Sequence, residues 1–146
     1  PVTVVNESPY TADYTLNLGT QFDLPVTDRL DFIARADYRL TGPTWFHTVQ
    51  DDTSPTLFSG LLPGSALMLP AEVGNADYSI TQRDEFGVLD VRVGVEVKDN
   101  FTIIAFAENL TNTKYLNEVI PAIEFGGSFI SPGGRQRFGV EVAMDF

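Results

Sequence analysis

One histidine, His47, stands in a chain of 146 residues that has no cysteine. A lone imidazole cannot supply a multi-histidine metal site, and without thiols there is neither a thiolate site nor a disulfide. Nucleophilic chemistry would have to pair His47 with a serine of the same stretch, Ser54, Ser59 or Ser65. No Gly-x-Ser-x-Gly elbow surrounds any of them, so a hydrolase is set aside. Asp51-Asp52 offers adjacent carboxylates to a cation, an arrangement that solvation alone explains. Asn100-Phe101-Thr102 and Asn109-Leu110-Thr111 match the glycan-acceptor pattern, but strand and turn chemistry account for both. The sequence reads as a non-enzyme with no cofactor and no metal.

The other residues with chemical potential are charges repeated at intervals of two. Asp31, Arg35, Asp37, Arg39, Asp90, Arg92, Glu96, Glu108, Arg137, Glu141 and Asp145 share one parity of their segments. A period of two sends alternate side chains to opposite faces of a strand. The final segment shows this most fully. Phe138, Val140, Val142, Met144 and Phe146 take one face, and Arg137, Gly139, Glu141, Ala143 and Asp145 take the other. Cross-strand pairing, worth about 0.2–1 kcal/mol per pair, explains most of these charges.

The elements that must position them follow in chain order. Residues 1–9 carry no charged-then-apolar leader pattern and read as the end of a loop. Strands are expected over about 10–24, 29–40, 86–97, 101–110 and 135–146. Ile33 is a misfit on the polar parity of the second, and the fourth carries apolar residues on both parities. Pro25-Val26-Thr27-Asp28 and Lys98-Asp99-Asn100 read as tight turns. Residues 41–85 and 109–134 read as long loops, broken by proline and glycine, with a short strand around Ala66–Leu69. The connections thus alternate short, long, short, long.

The net charge of −11 argues against nucleic-acid binding, which needs a basic footprint. No run approaches the roughly 20 apolar residues of a membrane helix, but a barrel strand needs only about 9–11 tilted residues. Short turns on one side, long loops on the other and an apolar face along every strand fit an outer-membrane β-barrel. The aromatics agree. Phe22, Phe32, Phe101 and Phe146 cluster toward the short turns, and Tyr10, Tyr14 and Tyr38 toward the long loops, like two interfacial girdles. Ordinary strand preference for aromatics explains the same positions.

Four segments carry a family likeness. They are Arg39-Leu40-Thr41-Gly42, Phe86 through Glu96, Phe101 through Ala107 followed by Glu108-Asn109-Leu110-Thr111-Asn112-Thr113-Lys114-Tyr115, and Pro132-Gly133-Gly134-Arg135 leading into the last strand. Together they resemble the C-terminal part of a TonB-dependent outer-membrane receptor. The Asn109–Tyr115 motif with the terminal strand is the most specific of them. The resemblance implies an all-β antiparallel meander of about five strands, a section of a barrel of about 22 strands. It implies uptake of a scarce ligand, a ferric siderophore by default, with a glycan or cobalamin as alternatives. The external loops would capture the ligand, and Trp45, Phe46, His47 and Tyr115 would contact it. The polar parity (Arg35, Arg39, Arg92, Glu96, Arg137 and Glu141) would line the lumen. Phe138, Val140, Val142, Met144 and Phe146 would form the insertion signal read by the barrel-assembly machinery. Further implied partners are outer-membrane lipid, the remaining strands, an N-terminal plug and, through the plug, TonB. Neither the plug nor its TonB box is read in these residues. The rival readings are a soluble antiparallel β-sandwich binding module and a small barrel assembled from several copies.

Overall fold

The computed structural model describes residues 6–48, 50, 53–55, 75–98, 100–122 and 127–144. Its strands are β1 (Thr15–Thr27), β2 (Leu30–Thr41), β3 (Thr44–Trp45), β4 (Thr53–Pro55), β5 (Asn75–Asp77), β6 (Gln82–Arg83), β7 (Phe86–Val97), β8 (Phe101–Glu108), β9 (Leu116–Ala122), β10 (Gly127–Pro132) and β11 (Arg137–Met144). A single 3-10 turn, Ser79–Thr81, is the only helical piece among the described residues. The chain divides into two compact units.

The sheet unit spans Tyr14–Thr41, Phe86–Lys114 and Gly134–Phe146. It is a five-stranded antiparallel sheet in the order β1-β2-β7-β8-β11. Every neighbour in that order is also the next of these strands along the chain, which is an up-and-down meander. Register keeps each face uniform. Phe22 pairs with Ala34, Ala34 with Val93, Val93 with Ala105 and Ala105 with Val140. One row further, Leu24, Phe32, Val95, Ile103 and Val142 line up in the same way. These rows make one continuous apolar face. Its side chains are exposed rather than covered, including Leu18, Phe22, Leu24, Val93, Ile103, Phe138, Val140, Val142 and Met144.

Both tight turns lie at one end of this sheet. Thr27 pairs with Leu30 across Asp28-Arg29, and Val97 pairs with Phe101 across 98–100. The turns are tied to each other by Lys98 N–H donating to the Arg29 carbonyl at 3.0 Å. The long connections 42–85 and 109–136 leave from the opposite end.

Pro25 lies inside β1, not in a turn. The register slips between Pro25 and Thr27, so Val26 is bulged out. Proline has no N–H for a ladder and is tolerated on an edge strand at a bulge, which is its position here. At its other end the strand begins at Thr15 rather than near residue 10. Tyr10 adopts a left-handed φ of 61°, and its N–H donates to the Trp45 carbonyl at 2.7 Å. That bond commits residues up to Asp13 to the other unit. The last strand begins at Arg137 instead of 135, and Asp145 and Phe146 lie outside the described residues.

The second unit, Pro1–Asp13, Gly42–Glu85 and Tyr115–Gly133, is built from paired short strands. β3 pairs with β6, β4 with β5, and β9 with β10. The β9–β10 hairpin falls in a stretch that reads from sequence as loop, because Pro121 and Pro132 interrupt its pattern. Among the described residues, this unit buries Phe46, Tyr78, Val119, Thr44 and Thr81. The Ala66–Leu69 stretch lies outside the described residues.

Candidate functional site

The polar parity of the sheet strands forms one face of the sheet unit, where like charges meet across β2 and β7. Arg35 lies opposite Arg92, Asp37 opposite Asp90, and Asp31 opposite Glu96. Like charges directly opposite destabilise a sheet, so each needs relief from elsewhere. Arg35 relieves Asp37 two residues along the same strand, through Nε to Oδ2 at 2.6 Å and Nη2 to Oδ1 at 2.9 Å. Lys98 Nζ relieves Asp31 at 3.3 Å. Arg137 forks onto Glu108 on the neighbouring strand. Arg92 reaches Glu141 only at 3.8 Å and lies over the Phe106 ring, 5.8 Å from its centroid. Arg39 pairs in register with Asn17 and Val88. The ion pairs among these face solvent and contribute little to stability.

The same face opens into a hollow of ≈ 530 Å³ whose lining includes Arg35, Asp37, Asp90, Arg92, Phe106 and Glu108. Its floor explains the two irregularities of the sequence pattern. Ile33 and Ile104 flank Gly94 in one row. The Ile104 side chain leans over the glycine, with Cγ1 at 2.8 Å from where a Cβ would sit. Phe106 likewise lies over Gly139, its Cζ 2.5 Å from that glycine's missing Cβ. The off-pattern apolar residues thus fill space that glycines leave open on the polar face.

The Asn109 motif is a locked turn at the long-connection end. Asn109 takes a φ of 48° and Asn112 one of 53°, a region in which asparagine is several-fold enriched among non-glycine residues. Asn109 is 4 % exposed. Its Nδ2 donates to the carbonyls of Thr113 and Gly134, and its Oδ1 accepts the Thr113 N–H, all at 2.9 Å. Its own N–H donates to Asp90 Oδ1 at 2.8 Å. Leu110 N–H donates to the Leu89 carbonyl at 2.7 Å, and Gln136 Nε2 donates to the Leu110 carbonyl at 2.7 Å. One side chain therefore ties the end of β8 to the approach of β11. The sequence motif marks the place, but nothing in it shows that Asp90 and Gly134 are the partners.

In the second unit the aromatic candidates separate. Phe46 is a core residue, 4 % exposed, edge-on to Tyr10 at 5.5 Å and beneath Arg83 at 5.4 Å. Its burial leaves a ligand little of the ring to touch. Trp45 is half-buried, in register with Gln82. His47 is half-buried and stacks on Tyr78 at 4.4 Å. Arg83, not singled out in the sequence, organises this unit. It donates to Thr44 Oγ1 at 2.7 Å and to the Leu116 carbonyl at 3.0 Å. Burial lowers its pKa from the ordinary guanidinium value, and Tyr115 opposes the shift.

Tyr115 carries a testable contact. Gly133 N–H donates to the Tyr115 carbonyl at 2.8 Å, and a Cβ at Gly133 would lie only 2.2 to 2.5 Å from atoms of the Tyr115 ring. Gly133→Ala is expected to displace that ring and to cost about 1–3 kcal/mol, the range for overpacking. The shift in denaturant midpoint measures it. An unchanged midpoint would mean that the ring moves freely and that the contact carries no constraint.

No family model, characterised protein or solved structure matches the chain.

Proposed function

We propose that the chain is a wall section of an outer-membrane TonB-dependent receptor, taking part in energy-coupled uptake of a scarce ligand. The observation that carries this reading is the exposed apolar face of the five-stranded sheet, with Phe22 at 65 % and Val140 at 68 % exposure. Soluble monomers rarely expose contiguous apolar patches above a few hundred Å², and a sandwich would bury such a face against a second sheet. In a barrel the same face meets lipid and the polar face lines the lumen. Strand length fits as well. A strand of 12 residues, as β2 and β7 are, is about 40 Å long and projects about 30 Å at a tilt near 40°, the thickness of a hydrocarbon core.

In this reading β1 and β11 each present an edge to further strands, since five strands do not close a barrel. The 42–85 and 109–136 connections are the external ones in this reading, and Trp45, His47 and Tyr115 lie on them. Ferric siderophore is the default ligand, with a glycan or cobalamin as alternatives. The last strand supplies the insertion signal.

Two measurements test the reading. The purified chain is expected to stay dispersed with β circular dichroism only above a detergent's critical micelle concentration. Monodisperse solution behaviour without detergent would overturn the membrane assignment. The coding frame upstream of Pro1 tests the receptor assignment, which expects several hundred further residues with alternating strands and a plug. A start codon close to Pro1 would remove it.

A further inference from the structure

The polar face repeats one motif on adjacent strands and completes it on only one of them. On β2, Arg35 and Asp37 lie two residues apart and close on each other with two short hydrogen bonds, at 2.6 and 2.9 Å. On β7, Arg92 and Asp90 occupy the matching positions, directly opposite Arg35 and Asp37. They do not close. Asp90 uses Oδ1 to hold the Asn109 N–H. Among the described residues it forms no ion pair. Arg92 leans away toward Phe106 and reaches Glu141 at 3.8 Å. Each open group also faces a like charge across the ladder, which raises the value of an added counter-charge. The hollow lies over this open pair and over the Phe106 ring.

We propose that the hollow binds a small mixed-charge ligand, with its carboxylate on Arg92, its ammonium on Asp90 and its apolar body over Phe106 and Ile104. Two residues along a strand span roughly 7 Å. A dipeptide's termini are about that far apart, so it is the probe chosen to bridge Arg92 and Asp90 while their side chains stay apart. Arg35 and Asp37 satisfy each other and act as the fixed wall. The volume is that of small-molecule sites, which run about 300–1,000 Å³. The same chemistry comes from two sources: the ends of a short free molecule, or side chains two residues apart on an extended peptide. The assignment stands on the polar face alone and does not depend on transport.

The test uses the full chain in detergent micelles, with ¹⁵N spectra of the arginine side chains and calorimetric titration. The probes are glycylglycine, glycine, N-acetylglycylglycine, glycylglycine amide, and an end-blocked Lys-Ala-Glu peptide. Glycylglycine is expected to shift the Arg92 Nε resonance and to bind about tenfold or more tightly than its singly charged derivatives, the scale of one lost charge-assisted bond. Tighter binding of the blocked tripeptide would place the source in a polypeptide and sustain the site. Arg92→Gln and Asp90→Asn are each expected to weaken binding about tenfold or more. The second keeps an oxygen for the Asn109 N–H, so the turn is preserved. The control, Lys98→Gln with Asp31→Asn, removes an ion pair of the sheet unit that does not line the hollow and is expected to change binding less than about threefold. Equal binding of singly charged probes, or wild-type binding by both β7 variants, would overturn the site. That outcome with detergent dependence intact would leave the membrane reading standing. Binding that persists in a chain soluble without detergent would do the reverse.

Discussion

Val140→Arg is expected to cost the detergent-folded chain about 2–4 kcal/mol, a loss of roughly 30- to 1,000-fold in the folding equilibrium. Val140 is 68 % exposed and sits in the middle row of the apolar face, in line with Ala105, Val93, Ala34 and Phe22. On a lipid-facing wall that row lies near mid-height, which puts Phe22 away from the interfacial girdle expected from its sequence position, and an arginine there is least able to snorkel. Glu141→Arg on the next residue provides the contrast. It turns to the polar face, where it gives up a 3.8 Å pair with Arg92 and sets a like charge beside it, so its cost should stay within about 1 kcal/mol. Denaturant midpoints of the two variants in the same micelle measure the difference. If the two arginines cost the same, the faces do not differ in environment and the lipid assignment fails. If Val140→Arg instead keeps the chain soluble and folded without detergent, the apolar face is an ordinary water-exposed surface.

Asn109→Ala is expected to destabilise the sheet unit by about 3 kcal/mol. The substitution removes three hydrogen bonds of 2.9 Å from a residue that is 4 % exposed. Each such bond contributes about 0.5–1.5 kcal/mol, and more where a buried partner is left unpaired. Alanine must also hold the left-handed φ of 48°, which asparagine tolerates better. Asn109→Gly separates the two effects. It accepts the backbone angle but loses the bonds, and it should fall about 1 kcal/mol short of the alanine loss. Equilibrium unfolding of both variants measures the gap. A loss below about 0.5 kcal/mol for alanine would mean that Thr113 and Gly134 find other partners and that the turn is not held by this side chain.

The parts of the fold legible in the sequence are those where a period of two meets a two-sided environment. Leu30 to Thr41 and Phe86 to Val97 alternate so regularly that their pairing, Leu30 with Val97 through to Thr41 with Phe86, follows once both apolar sets share a face. What escaped the pattern depends on groups far apart in sequence. Tyr10 leaves the first strand because its amide finds the Trp45 carbonyl. Pro25 stays in β1 because an edge position and a bulge excuse its missing N–H. The β9–β10 hairpin forms in spite of two prolines. The polar face was legible as a set of charges but not as pairs. Alternation places Arg92 and Asp90 on one side of β7, and only the third dimension shows that Phe106 and Asn109 draw them apart. Among the loop aromatics, sequence gives no way to tell the buried Phe46 from its half-buried neighbours Trp45 and His47.

The last strand is fastened at its beginning. Asn109 holds Gly134, Gln136 holds Leu110, and Arg137 holds Glu108, all before the first apolar residue, Phe138. The chain therefore counts β11 outward from that anchorage, as a zip is drawn from its closed end. Changes farther along remove ladder rungs one at a time and leave the numbering of the others alone. One residue added or lost between Gly134 and Arg137 would instead invert the whole strand, turning Phe138, Val140, Val142 and Met144 toward the side that now holds Arg137 and Glu141. Tolerance to length change is thus steeply uneven along a few residues that, by composition, look like an ordinary glycine-rich loop.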